Sequence, residues 1–308
     1  MGKTDEYTPE FVMRGGTGTV YMLNEVVAVK IARSDPDAQQ DHANEQAVFR
    51  RLEGDLENPT PGLIQCFLQV PGFTFLKLAI HGSLAMYLNA RQDRDPDNMD
   101  EVWMVWDKIP TSTAHKWMRQ LCGAAAGLES MGMCHGDIHL GNVLLDSGWN
   151  AILADLDRAG DLGSDLEAVS EPFGRLLNAS EGEGAGTYGK ASAYTETFAL
   201  GSICYTLQRG HVPWETERWG PDHDVVLQDM FQNKQFPPLT DSREDTITWR
   251  CWNGGYSSVR ELWEEFGGDG RELKDVSACY LQHMRVAGIA EECRQILDSG
   301  ILSPLKER

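Results

Sequence analysis

Cys134-His135-Gly136-Asp137-Ile138-His139-Leu140-Gly141-Asn142-Val143-Leu144-Leu145-Asp146 is the stretch on which the reading of the whole chain turns. Asp137 and Asn142 stand five apart, in a loop between a long helical pattern and the apolar run Val143–Leu145. A second apolar run, Ala151-Ile152-Leu153-Ala154, ends at Asp155. Two short strands would set Asp137, Asn142 and Asp155 around one cavity. An amide and a carboxylate oxygen suit Mg²⁺, which keeps waters and phosphate oxygens as its other ligands. Asp137 is then free to accept a hydroxyl proton. Three polar turn residues are the other reading of the same spacing.

Upstream, Val26-Val27-Ala28-Val29-Lys30-Ile31 is short and β-branched and predicts a strand. Lys30 in such a strand is either an edge gatekeeper or a residue with a task. Asp41 to Leu52 predicts a helix, with Ala43, Ala47, Val48 and Leu52 at helical spacing. Glu45 on it is either a partner for Lys30 or a solvated charge. Arg14-Gly15-Gly16-Thr17-Gly18-Thr19-Val20 reads first as a glycine-rich hairpin. It reads second as a cradle in which the backbone approaches a phosphate. Gly54 and Pro59-Thr60-Pro61-Gly62 break the pattern, and Phe73 to Ile80 predicts another strand.

After residue 80 the pattern turns helical. Leu84 to Ala90 predicts a short helix, and the polar stretch Arg91 to Asp100 a loop. Thr111 to Met131 predicts the clearest helix, capped by Thr111 or Thr113 after Pro110, with Trp117, Leu121, Ala124 and Leu128 as its buried stripe. Residues 159–193, rich in Gly, Ser, Ala and Glu, predict a long surface loop. Helical patterns resume at Thr195, with breaks at Gly210, Pro213, Pro237-Pro238 and Gly254-Gly255.

The 308 residues carry 27 basic and 47 acidic side chains, a formal charge of −20. That charge argues against a nucleic-acid partner, which needs a basic face, and speaks chiefly for solubility. Hydrophobic residues make up 41% and charged ones 24%, enough to exclude a mostly disordered chain and to fill two lobes. No apolar run approaches the ~18 residues of a membrane span. Met1–Glu6 lacks a signal-peptide core, and Glu6 breaks the myristoylation pattern. Leu305-Lys306-Glu307-Arg308 is neither a lipidation nor a retention signal. The seven cysteines (66, 122, 134, 204, 251, 279 and 293) form no CxxC pair. Reduced thiols and a cytoplasmic or nuclear location are therefore expected.

Taken in order, these motifs resemble the eukaryotic protein kinase superfamily, most closely the divergent protein-kinase-like proteins common in fungi. The resemblance runs from about Phe11 to Phe266. Gly15, Gly18 and Val20 match the glycine-rich loop, with Met13 where its first glycine is expected. Ala28-Val29-Lys30 matches the strand lysine motif, Glu45 its helix partner, and Leu76 to Ala79 the gatekeeper and hinge. His135-Gly136-Asp137 with Asn142 matches the catalytic loop, and Asp155-Leu156-Asp157 the metal-binding tripeptide. Glu196 to Ser202 resembles the central helix of the large lobe. Phe236-Pro237 and Cys251 to Tyr256 resemble late helices of the fungal proteins.

The resemblance implies a bilobal α+β fold, with a strand-rich lobe over 1–80 and a helical lobe over 81–308. It implies ATP between the lobes, touching Gly15, Gly16, Gly18, Val20, Ala28, Leu76, Lys77, Ala79 and Leu144, with Lys30 and Glu45 at the α- and β-phosphates. Asn142, Asp155 and Asp157 would hold Mg²⁺, and Asp137 would take the proton of a hydroxyl acceptor, a protein or a small molecule. Neither membrane nor nucleic acid is an expected partner.

Five departures keep alternatives open. Gly136 replaces the catalytic-loop arginine, and His139 the lysine usual in Ser/Thr kinases. Glu196 replaces the aspartate that anchors the loop, Asp157 replaces a glycine, and no A-P-E motif closes the segment before Glu196. A small-molecule kinase of aminoglycoside- or choline-kinase type shares the loop pattern and the D-x-D. A pseudokinase acting as an interaction module would need a lost catalytic residue, and none is lost. Asp157 itself reads either as a metal ligand, sharing one side of an extended stretch with Asp155, or as a surface acid paired with Arg158 or Arg175.

Overall fold

The computed structural model describes residues 8–54, 62–96, 101–166, 169–269 and 276–305. The readings at Met1–Glu6, Pro59–Pro61, residues 97–100, Lys306–Arg308 and the Cys279 side chain lie outside the described residues. The chain divides into two compact units. One holds residues 1–80, 155–158 and 270–308, and the other holds 81–154 and 159–269. Residues 155–158 and 270–308 thus group with the strands, where a single contiguous division was expected.

The first unit is built on an antiparallel sheet of β1 (Glu10–Arg14), β2 (Gly18–Met22), β3 (Val27–Ala32), β4 (Cys66–Val70) and β5 (Phe73–Lys77), in the order β1-β2-β3-β5-β4. All six residues of β3 are buried. Side chains alternate across a strand, so Val27, Val29 and Ile31 face one way and Ala28 and Lys30 the other. The first face forms a core with Tyr21, Phe73 and Phe75. Cys293, Ile296 and Leu302 complete that core; the first two lie on α8 (Val276–Asp298), the third just beyond it. That contact explains why the C-terminal segment belongs with the sheet. Helix α1 (Pro36–Gly54) begins earlier than its apolar spacing suggests. Asp35 Oδ1 accepts the Ala38 N–H at 2.9 Å, and Pro36 occupies a position where no N–H is needed.

In the second unit, α3 (Thr111–Ser130) buries Trp117, Leu121, Ala124 and Leu128 as expected. The expected cap is corrected: Thr111 and Thr113 lie inside the helix, and no side chain caps it. Instead the Pro110 carbonyl accepts the Thr113 and Ala114 N–H groups at 2.9 and 3.0 Å. Helix α4 (Ala193–Arg209), buried continuously from Glu196 to Leu207, packs against α3 and α6 (Arg243–Trp252). Helices α5 (His223–Gln232) and α7 (Val259–Glu265) complete the helical framework, with the short α2 (Leu84–Asn89) ahead of them. Among the described residues no helix is long and apolar enough to cross a membrane.

Two loop readings are corrected. Within Arg91–Asp100, β6 (Gln92–Arg94) pairs with β7 (Val102–Val105). Its polar side chains are spent internally: Gln92 donates to the Gly210 carbonyl, and Arg94 meets Glu215 at 2.6 Å with both side chains nearly buried. Residues 159–193 are not one surface loop either. Strand β11 (Gly160–Asp161) pairs with β8 (Met133–Cys134), a 3-10 turn spans Ala179–Gly184, and Phe173, Arg175 and Ala191 are buried.

Candidate functional site

In the strand-rich unit, register gathers the residues first singled out from sequence. Val20 lies opposite Lys30 and Leu76 opposite Ala28, so all four share the sheet face turned away from the apolar core. Gly15 N–H donates to the Gly18 carbonyl at 2.8 Å and closes the β1–β2 turn. A Cβ on Gly18 would lie 2.7 Å from the Ile31 oxygen, so close strand packing alone demands glycine there. A Cβ on Gly16 would meet nothing within 4 Å. Lys77 and Leu78 extend the pairing of β5 to both of its neighbours through N–H bonds to the Gln65 and Val26 carbonyls at 2.8 and 2.7 Å, with Ala79 just beyond.

The Lys30 ammonium is buried between two acids, 3.1 Å from Glu45 Oε2 and 2.6 Å from Asp155 Oδ1. The first contact is an ion pair off the line of a hydrogen bond; the second is a hydrogen bond. Burial works against the charge, but Glu45 and Asp155 outweigh it and hold the lysine above its ordinary pKa. Gln46 locks α1 to the sheet by donating to the Val70 and Phe73 carbonyls at 3.0 and 3.1 Å. His42, one turn before Glu45, is buried, and that burial together with the Lys30 charge lowers it to about 4, so it is neutral. Sequence reasoning missed both residues, because their partners lie on the sheet.

Asp155 has a φ of 64°, a left-handed conformation that aspartate tolerates better than most residues. The expectation that it shares an extended stretch with Asp157 is therefore corrected. The surface-acid reading of Asp157 is corrected as well, since only 8% of the residue is exposed. Burial and then the Asp155 charge push its carboxyl up, while Lys30 and Arg158 partly offset them. Arg158 pairs with Asp41 at 3.1 Å and Arg175 with Glu181 at 2.5 Å.

In the helical unit, β9 (Val143–Leu145) and β10 (Ala151–Leu153) form the expected hairpin, with Leu144 opposite Ile152. Ala154 N–H donates to the Asn142 carbonyl at 2.8 Å, so the residues flanking the hairpin close it. Asn142 Nδ2 donates to the Asp137 carbonyl at 2.9 Å and to Asp137 Oδ2 at 3.2 Å. His139 Nδ1 accepts the Gly141 N–H at 3.0 Å, which leaves the proton on Nε2, 3.5 Å from Asp137 Oδ2. Burial raises the Asp137 carboxyl, but His139 and Asn142 outweigh it, and the net displacement is downward. Asp137 is a carboxylate at neutral pH.

The loop is fixed from beneath. His135 Nδ1 accepts the Asp137 N–H at 3.3 Å and Nε2 donates to the Ala154 carbonyl at 3.0 Å. Glu196, fully inside α4, accepts the His135 and Gly136 N–H groups at 2.8 and 3.1 Å. Gly136 has a φ of 77°, a left-handed conformation that glycine adopts without strain. Arg175 and Glu181 were not recognised from sequence as a working pair. The available signal was Asn178-x-x-Glu181, which here is a capping box.

The chain is similar to known proteins. A family model for the protein tyrosine and serine/threonine kinase domain matches residues 12–172, more than half of the chain. The serine/threonine-protein kinase KIN4 of Saccharomyces cerevisiae is 22% identical over 210 residues, 67% of this chain and 24% of KIN4. The serine/threonine-protein kinase mrck-1 of Caenorhabditis elegans is 29% identical over 167 residues, 51% of this chain and 10% of mrck-1. The insulin-like receptor of Caenorhabditis elegans is 24% identical over 137 residues, 44% of this chain and 7% of the receptor. The chain thus spans a quarter or less of the length of each of these relatives. Its five-stranded antiparallel sheet and helical remainder are the α+β fold expected of such enzymes. The chain belongs to the protein kinase family.

Proposed function

We propose that this kinase transfers the γ-phosphate of ATP to a serine or threonine hydroxyl of a protein. The observation that carries the reading is the buried Lys30 ammonium held between Glu45 and Asp155. Burying charges is costly even when they are paired, and holding an ammonium ready for the triphosphate of ATP gives that cost a function. Lys30, steadied by Glu45, grips the α- and β-phosphates. Asp137, ionised and fixed by Asn142 and His139, orients the acceptor hydroxyl. As the hydroxyl oxygen bonds to the γ-phosphorus and the bond to the β-phosphate oxygen breaks, Asp137 takes the hydroxyl proton and ADP leaves. Catalysis of this kind rests on positioning and charge neutralisation.

Asn142, Asp155 and Asp157 are the residues assigned to Mg²⁺, an ion that takes amide and carboxylate oxygens of this kind. When bound, Mg²⁺ would neutralise phosphate charge. Gly15, Gly16, Gly18, Val20, Ala28, Leu76, Lys77, Ala79 and Leu144 are the residues assigned to the nucleotide. The buried Asp157 beside Asp155 favours a second reading, a small-molecule kinase with a paired-acid metal site.

The test is γ-labelled ATP with Mg²⁺, offered to a generic protein, a basic peptide and a metabolite pool. Label on serine or threonine of the protein or peptide, lost in Lys30→Met, is the expected result. Label confined to a metabolite would replace this reading with the second one.

A further inference from the structure

The carboxylate of Glu181 collects four donors within the helical unit. Arg175 Nη1 lies 2.8 Å from Oε2 and Nη2 2.5 Å from Oε1. Lys234 Nζ lies 2.9 Å from Oε1, and the Asn178 N–H donates to Oε2 at 2.8 Å. The Arg175 side chain is only 3% exposed, and its remaining contacts are also internal. Nη1 donates to the Leu176 carbonyl at 3.1 Å, while Nε and Nη2 donate to Tyr194 Oη at 3.3 and 3.2 Å. Tyr194 Oη donates in turn to the Trp252 carbonyl of α6 at 3.2 Å. Asn178 Nδ2 donates to the Gln232 carbonyl at 3.2 Å, and Gln232 Nε2 to the Leu177 carbonyl at 3.1 Å, which ties the same segment to α5.

This latch reaches the catalytic loop. Phe173, Arg175 and Leu177 wall a cavity of about 280 Å³ whose other side includes Gly136, Ile138 and Glu196. The Phe173 ring lies 6.3 Å from the His139 ring, and His139 faces Asp137. Ser202 Oγ of α4 donates to the Pro172 carbonyl at 2.5 Å, fixing the chain just before Phe173. Two hydroxyls of the segment make local bonds: Ser180 Oγ donates to Asn178 Oδ1 at 2.6 Å and Thr187 Oγ1 to the Gly184 carbonyl at 2.8 Å.

We propose that Glu181 and Arg175 are positioning residues for phosphoryl transfer. Their bidentate pair seats the 172–190 segment against the catalytic loop with a built-in carboxylate, so that His139 and Asp137 are set for catalysis with no phosphate on the segment. The proposal rests on the phosphotransferase reading above. A bidentate carboxylate on a buried guanidinium is among the stronger contacts available to a side chain. Removing the carboxylate leaves a buried cation unpaired, which cannot keep its place. The Arg175 and Asn178 bonds hold Glu181 down at about 2, so the latch stays closed across the physiological pH range.

The test uses the full chain as wild type, Glu181→Gln, Glu181→Asp and Arg175→Lys, with kinetics and limited trypsin digestion in parallel. Wild type treated with phosphatase is expected to keep its full rate. Glu181→Gln is expected to lose about 10²-fold in kcat, the scale of a small misplacement at a reacting centre. Its KM for ATP should stay within about twofold of wild type, because its contacts touch no nucleotide-assigned residue, and its Arg175 and Lys190 bonds should become rapidly cleavable. Glu181→Asp should recover part of kcat. Arg175→Lys keeps the charge without the fork and should fall between wild type and Glu181→Gln. Glu181→Gln with wild-type kcat and trypsin resistance would overturn the proposal, and so would loss of wild-type activity on phosphatase treatment. If wild type transfers no phosphate at all, the phosphotransferase reading fails. The digestion of Glu181→Gln then decides the latch on its own, rapid cleavage supporting it and resistance overturning it.

Discussion

Glu196 is a carboxylate with no exposed surface to speak of and two backbone N–H groups to satisfy. Complete burial pushes it up from 4.5 to about 7, against the pull of those two donors. A proton on one oxygen removes an acceptor from the catalytic loop, so activity is expected to fall as pH drops through about 7. Stability moves the other way. The folded pKa lies above the unfolded one, so this group's contribution is full below about 4.5 and lost as pH rises through about 7. Wild type should therefore gain stability relative to Glu196→Gln between pH 8 and pH 5 while its rate declines, and the variant should lack that acid limb. Melting curves and initial rates across the range check both; a wild-type rate that is flat from pH 8 to 5 contradicts the assignment. The place of Glu196 was legible in the sequence, on a recognisable helix pattern where the resembled family carries an aspartate, although its bonds to the loop were not. The role of Glu181 was not, because Arg175 and Lys234 reach it by folding.

At the scale of elements, apolar spacing found β3, β5, α1, α2 and α3, and the catalytic stretch foretold the β9–β10 hairpin. Polar stretches misled. Gln92 and Arg94 carry a strand whose polar groups are paired inside, and composition cannot distinguish that from a solvated loop. The C-terminal helix was read as part of the helical lobe, yet it supplies Cys293 and Ile296 to the core of the sheet. Ile296 is 3% exposed there. Ile296→Ala is expected to cost about 2–5 kcal/mol, the usual cost of emptying a buried aliphatic site. Urea unfolding followed through the strand-rich unit measures it; a loss below about 0.5 kcal/mol would mean that α8 contributes little to that core.

For the whole molecule, a charge of −20 on 308 residues argues against a nucleic-acid partner, and the chain divides into two units. The order of those motifs along the chain carried the family. The departures at Gly136, His139, Asp157 and Glu196 were visible as letters, but their consequences were not. A positive φ at Gly136, a carboxylate anchor at Glu196 and a histidine beside Asp137 are properties of the folded chain. As the base for phosphoryl transfer to a protein hydroxyl, Asp137 has a sharp signature in the Asp137→Asn variant. Label transfer from γ-labelled ATP should fall by about 10²–10⁴-fold, while a calorimetric titration shows ATP binding at wild-type strength, because Asp137 meets the acceptor and not the nucleotide. Transfer at the wild-type rate in Asp137→Asn, or loss of ATP binding together with transfer, would contradict that role.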